Sequence, residues 1–287
     1  MSTPDRDAII QKGIISPEEL HALMQSPARS PRLKILDGTF VLPGSDTNPE
    51  QEFDRAHIDG AQFFDIEAVS DKDTDLPHML PPASQFENAI SNMGIGNDDF
   101  VVVYGQSGLV MGPARVWWMF RAFGHHAVCV LDGGLSAWIK AGYPVTSEKI
   151  EPMALTSFQT IANTALLSTK KQVQRASDTK SAFILDARPA PRFNAEIPEP
   201  RPGMRSGHIE NSQNVPAQSL VDAQTDKLKP VNELKDLLAP YLGQDHDIIT
   251  TCGSGVTACV IALGLFNCGT KNASVYDGSW AEWGRIK

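Results

Sequence analysis

The residues with the clearest capacity for chemistry are Cys252 and the loop that follows it. Asp247–Thr251 is a short apolar run typical of a buried strand, and Ala258 opens an apolar segment typical of a helix. Between them lies Cys252-Gly253-Ser254-Gly255-Val256-Thr257. Ligands of open α/β sheets bind at the carboxyl ends of strands, and loop N–H groups together with a helix N-terminus favour a thiolate there. Cys252 is therefore predicted to be a nucleophile, and the same donors would hold an anion formed on it.

The remaining cysteines are predicted to be structural. Cys259 falls within an apolar helix, Cys268 near its end, and Cys129 within an apolar strand. A small buried apolar role is also the alternative for Cys252, although its strand, loop and helix context favours the nucleophile. No pair has Cys-x-x-Cys spacing, so we expect neither structural zinc nor a disulfide framework, and a reducing cytoplasm is the predicted compartment.

Segments of the first half recur in the second half in the same order, at a spacing of roughly 150 residues. A helix start at residues 15–20, with Ser16 as its N-cap, matches one at residues 167–171, and each helix leads into a short apolar strand that ends in Asp37 or Asp186. Further matching segments are His57-Ile58 with His208-Ile209, Phe100–Tyr104 with Asp247–Thr251, and residues 130–134 with residues 275–279. Two copies of so long a period indicate a duplicated domain and not a solenoid.

Each copy alternates helices with short apolar strands, which predicts a mainly parallel sheet flanked by helices on both faces. The predicted fold class is α/β, with two tandem domains of this kind. We expect an N-terminal domain over residues 1–145, a linker over 146–163 where periodicity lapses, and a C-terminal domain over 164–287. A chain of 287 residues is long enough for two such cores.

Composition excludes several classes of function. Hydrophobic residues make up 41% and charged residues 21% of the chain, as in ordinary globular proteins. A net charge of -9 disfavours nucleic acid and anionic membrane as partners, so an anionic substrate requires a local basic pocket. No apolar run approaches the ~18 residues of a membrane span. Residues 1–7 lack the features of a secretory signal, and their acidic residues count against a mitochondrial presequence.

The two copies differ at the position of the nucleophile. Gly105 stands in the first copy where Cys252 stands in the second, at the head of a loop that runs to Val110. The first domain is therefore predicted to be catalytically silent.

Several motifs extend over nearly the whole chain, from about Ile15 to Arg285. They are Phe63-Phe64-Asp65-Ile66, Pro77-His78-Met79-Leu80-Pro81, Trp117-Trp118-Met119-Phe120-Arg121, Glu199-Pro200-Arg201 and Cys252–Cys259. In these motifs the chain resembles the two-domain rhodanese family, and more closely its 3-mercaptopyruvate sulfurtransferase branch. The resemblance implies two rhodanese-like domains, with a silent first domain and a second domain that carries sulfur as a persulfide on Cys252. It implies no cofactor and no metal.

The loop after the cysteine distinguishes the branches of that family. In the thiosulfate enzymes of the family, a basic Arg-Lys pair follows the cysteine. This chain instead has Gly253-Ser254, and in this neutral pair it resembles the mercaptopyruvate enzymes. Thiosulfate is a dianion that requires local cations, while mercaptopyruvate has one carboxylate and a ketone that arginine can bind. The resemblance assigns this substrate binding to Arg192 and Arg201. The loop residues Gly253, Gly255, Val256 and Thr257 are predicted to line the same site.

A proton relay is implied by the same resemblance. Ser254 is expected to act with His78 and with an acidic residue at Glu67, where the family commonly has aspartate. Ordinary hydrogen bonding between the domains is the alternative for His78 and Glu67. His57 and His208 recur at equivalent positions, which favours a structural role in both domains.

Three other functions remain as alternatives. The nearest is a thiosulfate sulfurtransferase that forms thiocyanate and sulfite. A cysteine phosphatase requires Cys-x5-Arg, but the sixth residue after Cys252 is Ala258. A non-catalytic binding module is typical of copies that have lost the cysteine. The predicted partners are 3-mercaptopyruvate and a sulfur acceptor such as cyanide, a small thiol or a thioredoxin-like protein, with no nucleic acid and no membrane.

Overall fold

The computed structural model describes residues 4–27, 30–42, 44–107, 110–148 and 154–286. Parts of three predicted segments lie outside these ranges: residues 1–3 of the amino-terminal segment, Gly108 and Leu109 of the first-copy loop, and residues 149–153 of the linker. The chain divides into two compact units. The first unit comprises Met1–Val69, Pro81–Ala162 and Ala223–Leu228, and the second unit comprises Ser70–Leu80, Asn163–Asp222 and Lys229–Lys287.

The first unit is built on a five-stranded parallel sheet with strand order β1-β5-β4-β2-β3. Its strands are β1 (Ile14–Ile15), β2 (Leu33–Asp37), β3 (Ala61–Phe63), β4 (Phe100–Tyr104) and β5 (Val128–Leu131). Its helices are α1 (Arg6–Lys12), α2 (Pro17–Met24), α3 (Pro49–Arg55), α4 (Ile66–Val69), α5 (Ala83–Asn92), α6 (Met111–Ala122) and α7 (Gly134–Lys140).

The second unit repeats this plan, with parallel strands in the order β6-β10-β9-β7-β8. Its strands are β6 (Leu167–Ser168), β7 (Ala182–Asp186), β8 (Gln213–Asn214), β9 (Asp247–Thr251) and β10 (Ser274–Tyr276). Its helices are α8 (Lys170–Thr179), α9 (Ala190–Phe193), α10 (Val231–Leu238), α11 (Ala258–Asn267) and α12 (Ser279–Trp283). The duplicated, all-parallel arrangement confirms the predicted fold class.

The central strand of each sheet is buried because helices cover both of its faces. Every residue of β4 is buried, and in β9 only Asp247 is exposed. The helices that follow these strands, α6 and α11, are buried on nearly all sides. A helix that is apolar all round must lie inside the protein, so α11 holds the loop before it against the core.

Capping boxes begin the corresponding helix in each unit. Ser16 accepts a hydrogen bond from the N–H of Glu19, whose carboxylate accepts one from the Ser16 N–H. Thr169 and Gln172 form the same reciprocal pair at the start of α8. The predicted helix starts therefore hold in both copies.

Each compact unit includes a short segment from the other half of the chain. In the second unit, the N–H of Leu80 donates to Oδ2 of Asp277 at 2.6 Å. In the first unit, the N–H of Leu228 donates to Oδ1 of Asp132 at 2.8 Å. Asp132 and Asp277 are equivalent residues of the repeat, each just after the last strand of its sheet. The same aspartate therefore fixes the exchanged segment in both units.

In the ranges that the structure covers, no helix is both long and apolar enough to cross a membrane.

A buried histidine lies in an aromatic cluster of the first unit. The His125 ring lies 5.5 Å from that of Phe120 and 5.6 Å from that of Phe158, centroid to centroid. Within the described ranges its Nε2 atom has no hydrogen-bond partner. Burial lowers the pKa of His125 to about 4, because the apolar surroundings disfavour the imidazolium.

Acidification should therefore destabilise the first unit. The folded state keeps His125 neutral where the unfolded chain protonates it, so stability is full above about pH 6.5 and is lost as pH falls toward about 4. We expect wild-type protein to lose about 2 to 3 kcal/mol between pH 7 and pH 4.5 through this residue, and His125→Leu to lose that much less. Urea unfolding followed by Trp fluorescence measures the difference. The exposed His246 provides the control, His246→Leu, and equal pH dependence in wild type and His125→Leu would contradict the prediction.

Candidate active site

The carboxyl ends of three neighbouring strands place the site residues at one edge of the second sheet. Strand β9 lies between β7 and β10, with Thr251 paired to Asp186 and Thr250 to Val275. Cys252 follows β9 directly, so its side chain sits at the centre of this edge. This is the edge at which open α/β sheets bind ligands.

Ser279 organises the loop that begins at Cys252. Its Oγ atom accepts hydrogen bonds from the N–H groups of Cys252 and Gly255, each at 3.1 Å, and donates to the carbonyl of Tyr276 at 2.7 Å. The same Oγ lies 4.0 Å from Sγ of Cys252. Ser279 is fully buried and has a φ of 46°, a conformation that costs energy for a non-glycine residue. Ser279, in a strained backbone conformation, thus fixes the backbone of the loop.

The first turn of α12 fixes the other side of the loop. The N–H of Trp280 donates to the Cys252 carbonyl at 3.0 Å, and that of Ala281 donates to the Gly253 carbonyl at 2.9 Å. These two carbonyl oxygens are therefore engaged by the first turn of α12.

The N–H groups of the loop fall into two sets. Those of Cys252 and Gly255 are used by Ser279, which differs from the expectation that successive N–H groups all turn toward the sulfur. Among the residues that the structure describes, none accepts a hydrogen bond from the N–H groups of residues 253, 254, 256 and 257. These donors remain available to an anion on Cys252.

The two loop glycines serve different purposes. Gly255 has a φ of 79°, which a side chain would strain, as the sequence predicts for a tight loop. Gly253 lies close to two side chains: a Cβ atom there would lie 3.1 Å from an NH2 nitrogen of Arg192, which would have to shift slightly, and 3.7 Å from an NH1 nitrogen of Arg201. Both guanidinium groups therefore approach the residue next to the nucleophile.

Arg201 also connects His78 with Ser254. Its NH2 nitrogen donates to Nε2 of His78 at 3.2 Å and to Oγ of Ser254 at 3.3 Å. Nε2 must be unprotonated to accept this bond. His78 is 6% exposed and has a φ of 60°, which is uncommon outside glycine and is found at functional sites. The structure thus brings together three of the predicted site residues, with the arginine between the histidine and the serine.

The remaining predicted residues lie at different places. Val256 is buried in the loop, and Thr257 is the residue before α11. Glu67 is exposed in the first turn of α4, in the first unit. Its role in a relay stays a prediction, and so do the substrate-binding roles of the loop residues.

The other cysteines have no comparable environment. Cys129 is fully buried in β5, and burial raises the pKa of its thiol well above the usual range. Cys259 donates its S–H to the carbonyl of Gly255 at 3.2 Å, and burial raises the pKa of the Cys268 thiol. All four cysteines, Cys252 included, are free thiols.

The sequence of each half matches the same family model, that of the rhodanese-like domain, over residues 16–141 and 169–285. The chain belongs to the rhodanese family. It is 41% identical to the 3-mercaptopyruvate sulfurtransferase of Escherichia coli K12 over 256 residues, covering 88% of this chain and 90% of the relative. It is 38% identical to the thiosulfate sulfurtransferase of Rattus norvegicus over 280 residues, covering 96% and 93%.

A solved rhodanese has the same fold. The crystal structure of SseA from Escherichia coli superposes with a TM-score of 0.82 at 36% identity, covering 93% of this chain and 98% of that one.

At the matching edge of the first rhodanese-like repeat, polar side chains hydrogen-bond to one another. Gln106 donates from Nε2 to Oδ2 of Asp37 at 2.6 Å and from its N–H to Oγ1 of Thr39 at 2.8 Å. Burial raises the pKa of Asp37. In the second repeat the residues equivalent to Asp37 and Thr39 are Asp186 and Arg188, which form a buried ion pair instead. The two edges have therefore diverged in chemistry while keeping the same backbone plan.

The repeated histidines of the two rhodanese-like domains have a structural role, as predicted. His57 Nδ1 bonds to the Phe53 carbonyl at 2.8 Å, and the two rings stack at 4.2 Å. His208 Nδ1 bonds to the Phe193 carbonyl at 2.9 Å, and these rings stack at 4.0 Å.

Sequence reasoning missed Ser279 as a site residue. The signal was present in the repeat, because the equivalent residue of the first copy is Gly134, which also has a positive φ of 57°. A serine at a position that favours glycine, found only in the copy with the nucleophile, indicates a hydroxyl that is needed there.

Proposed function

We propose that the chain is a 3-mercaptopyruvate sulfurtransferase that carries sulfur as a persulfide on Cys252 and releases pyruvate. The observation that carries this proposal is the placement of Cys252 at the head of a neutral loop, with Arg192 and Arg201 both against Gly253. Two guanidinium groups suit one carboxylate and one ketone, since each can offer two parallel N–H donors.

The first half of the cycle transfers sulfur from carbon to the enzyme. The Cys252 thiolate attacks the sulfur atom of 3-mercaptopyruvate, a sulfur–sulfur bond forms, and the carbon–sulfur bond breaks with its electron pair going to the enolate of pyruvate. The proton of the substrate thiol must end on the enolate carbon. Ser254 and His78, which meet at Arg201, are proposed to move that proton, with Glu67 as a further participant.

The second half returns the enzyme to its starting state. An acceptor thiolate or cyanide attacks the outer sulfur of the persulfide, and Cys252 leaves as a thiolate. Before this step, we propose that the N–H groups of residues 253, 254, 256 and 257, which bind no other described residue, donate to the persulfide anion. A small thiol or a thioredoxin-like protein is the proposed acceptor. Four free cysteines support a reducing compartment such as the cytoplasm.

A thiosulfate sulfurtransferase is the second candidate. Its support is the rat relative of that name, whose 38% identity lies close to the 41% of the mercaptopyruvate enzyme. Identity therefore does not separate the donors, and the loop chemistry must decide. The absence of a side chain at Gly253 and the neutral hydroxyl of Ser254 favour the monoanionic donor.

A donor comparison tests the proposal. With cyanide as acceptor and thiocyanate as the measured product, kcat/KM for mercaptopyruvate should exceed that for thiosulfate by at least about 10-fold, or ~1.4 kcal/mol. Pyruvate release measured in the same reaction must equal thiocyanate formation. A preference for thiosulfate would assign the chain to the second candidate, and turnover of neither donor would refute both.

A further inference from the structure

Four charged side chains of alternating sign connect the end of β7 with the loop after Cys252. Asp186 binds Arg188, Arg188 binds Glu199, and Glu199 binds Arg192. The exposed side-chain fractions along this series are 1%, 1%, 4% and 20%. Only the last member has appreciable contact with solvent. The charges cancel in pairs, so the series costs less to bury than its members would singly.

Arg188 is held rigidly within this series. Its Nε donates to both carboxylate oxygens of Asp186 at 3.1 Å, and its NH2 donates to Oδ2 of Asp186 at 2.7 Å and to the Gly207 carbonyl at 2.9 Å. Its guanidinium carbon lies 4.5 Å from the ring centre of Trp280. Burial acts to lower the pKa of Arg188, but the hydrogen bonds and charges of Asp186 and Glu199 outweigh it and raise the pKa.

Glu199 divides its two oxygens between the arginines. Oε1 accepts from NH1 of Arg188 at 2.9 Å and from Nε of Arg192 at 3.3 Å, while Oε2 accepts from NH2 of Arg192 at 2.6 Å. The bond pair to Arg192 is bidentate, which fixes the plane of its guanidinium group. Arg188 in turn fixes the carboxylate of Glu199.

We propose that Glu199 is a positioning residue: anchored through Arg188 to the end of β7, it sets the orientation in which Arg192 lies against Gly253 and meets the donor. This rests on the proposed function, because it specifies how one arm of the substrate site is held. Arg192 is on the short helix α9 and is partly exposed, so its long side chain would otherwise sample several rotamers. Holding it in advance removes that entropic cost from substrate binding.

A second role for Glu199 would have the opposite sign. If the carboxylate mainly neutralised Arg192, removing its charge would make the site more positive and would tighten the binding of every anion. If it mainly orients Arg192, removing it weakens the binding of a carboxylate despite the added positive charge. The direction of the change therefore separates positioning from charge compensation.

The substitution Glu199→Gln tests this, because it keeps the size of the side chain and removes the charge. We expect KM for mercaptopyruvate to rise roughly 10- to 100-fold while kcat changes by less than about 3-fold, since orientation is lost in both ground and transition states. Glu199→Asp, which keeps the charge but shortens the reach, should change KM in the same direction. The exposed Glu196 of the same segment provides the matched control, Glu196→Gln, which should leave KM unchanged.

A readout without turnover keeps the test independent of the proposed function. Pyruvate, as a simple monocarboxylate, should protect Cys252 from alkylation by iodoacetamide, and half-protection should require roughly 10-fold more pyruvate in Glu199→Gln than in wild type. In an Arg192→Ala background the same substitution should have no further effect on protection or KM, because Glu199 acts through Arg192.

Three outcomes would overturn the inference. The first is unchanged or tighter pyruvate protection in folded Glu199→Gln. The second is that Glu199→Gln weakens protection in the Arg192→Ala background as much as in the wild-type background. The third is that the Glu196→Gln control weakens protection as much as Glu199→Gln does. Wild-type protein that pyruvate protects but that turns over no mercaptopyruvate would refute the proposed function alone. Thermal unfolding is measured for each variant, and if Glu199→Gln is unfolded the Glu199→Asp result decides.

Discussion

Replacing Cys252 with serine should abolish sulfur transfer and lower kcat/KM by at least about 10³-fold, because the persulfide has no other atom on which to form. The hydroxyl of serine can occupy the same place at the end of β9, and it can keep the hydrogen bonds that join the loop backbone to Ser279 and α12. The fold should therefore survive the substitution.

Intact-protein mass spectrometry gives the direct measurement. After treatment with mercaptopyruvate and removal of excess donor, wild-type protein should gain one sulfur atom and Cys252→Ser should gain none. Cys268→Ser is the matched control, since Cys268 is partly exposed at the end of α11 and burial raises the pKa of its thiol. It should take up sulfur like the wild type. Sulfur uptake by Cys252→Ser, with turnover, would refute the assignment of the nucleophile.

Loss of either arginine next to Gly253 should weaken use of the donor while leaving the fold intact. A charge-assisted contact is worth ~1.5 to 3 kcal/mol, so Arg192→Gln and Arg201→Gln should each lower kcat/KM for mercaptopyruvate by roughly 10- to 150-fold. The two variants should differ in whether the loss in kcat/KM comes from a higher KM or from a lower kcat. Arg192 is bound by Glu199 alone among the site residues described above, so its variant should change mainly KM.

Arg201→Gln should also lower kcat, because Arg201 donates to both His78 and Ser254. Its removal leaves the proposed proton relay without the group that joins the two residues. Steady-state kinetics with both donors measures the division, and Arg175→Gln, at an exposed position of α8, is the control. If neither variant changes the kinetics, the two arginines do not bind the donor.

The architecture was predictable because a duplication repeats every local signal. Strands that end in Asp37 and Asp186, capped helices at Ser16 and Thr169, and buried β4 and β9 each occur twice, so each copy supports the other. The strand orders of the two sheets are identical once the numbering is shifted by five. The predicted domain limits, 1–145, 146–163 and 164–287, remain a prediction, since the compact units are not continuous in sequence.

Part of the candidate site was also predictable from residue type. Gly255 has the positive φ that a tight loop requires, and Arg201 lies with His78 and Ser254. The reason for Gly253 was not visible, because nothing in a linear sequence shows that two guanidinium groups pack against it. Likewise, the sequence places Asp186 at the end of a strand, and only the folded chain shows that it begins the ion series that ends at Arg192.

No local sequence pattern predicts the exchange of short segments between the two compact units. Residues 70–80 and 223–228 carry turn-forming and charged residues with no periodicity, so sequence patterns do not tell which sheet they join. Contacts in the folded chain assign them, among them the hydrogen bonds of Leu80 and Leu228 to the two equivalent aspartates.

That exchange determines what can be obtained by dividing the chain. A fragment that begins at residue 164 would contain Cys252, Arg192 and Arg201, but it would lack His78 and the N–H group of Leu80 that Asp277 binds. Asp277 is 2% exposed, so in the fragment this buried carboxylate would lose its hydrogen bond to Leu80. Proteolysis between the repeats, or expression of the second repeat alone, therefore yields a protein that contains Cys252 but lacks His78. Because residues 70–80 belong to the second unit and residues 223–228 to the first, a single cleavage of the chain cannot yield both units intact.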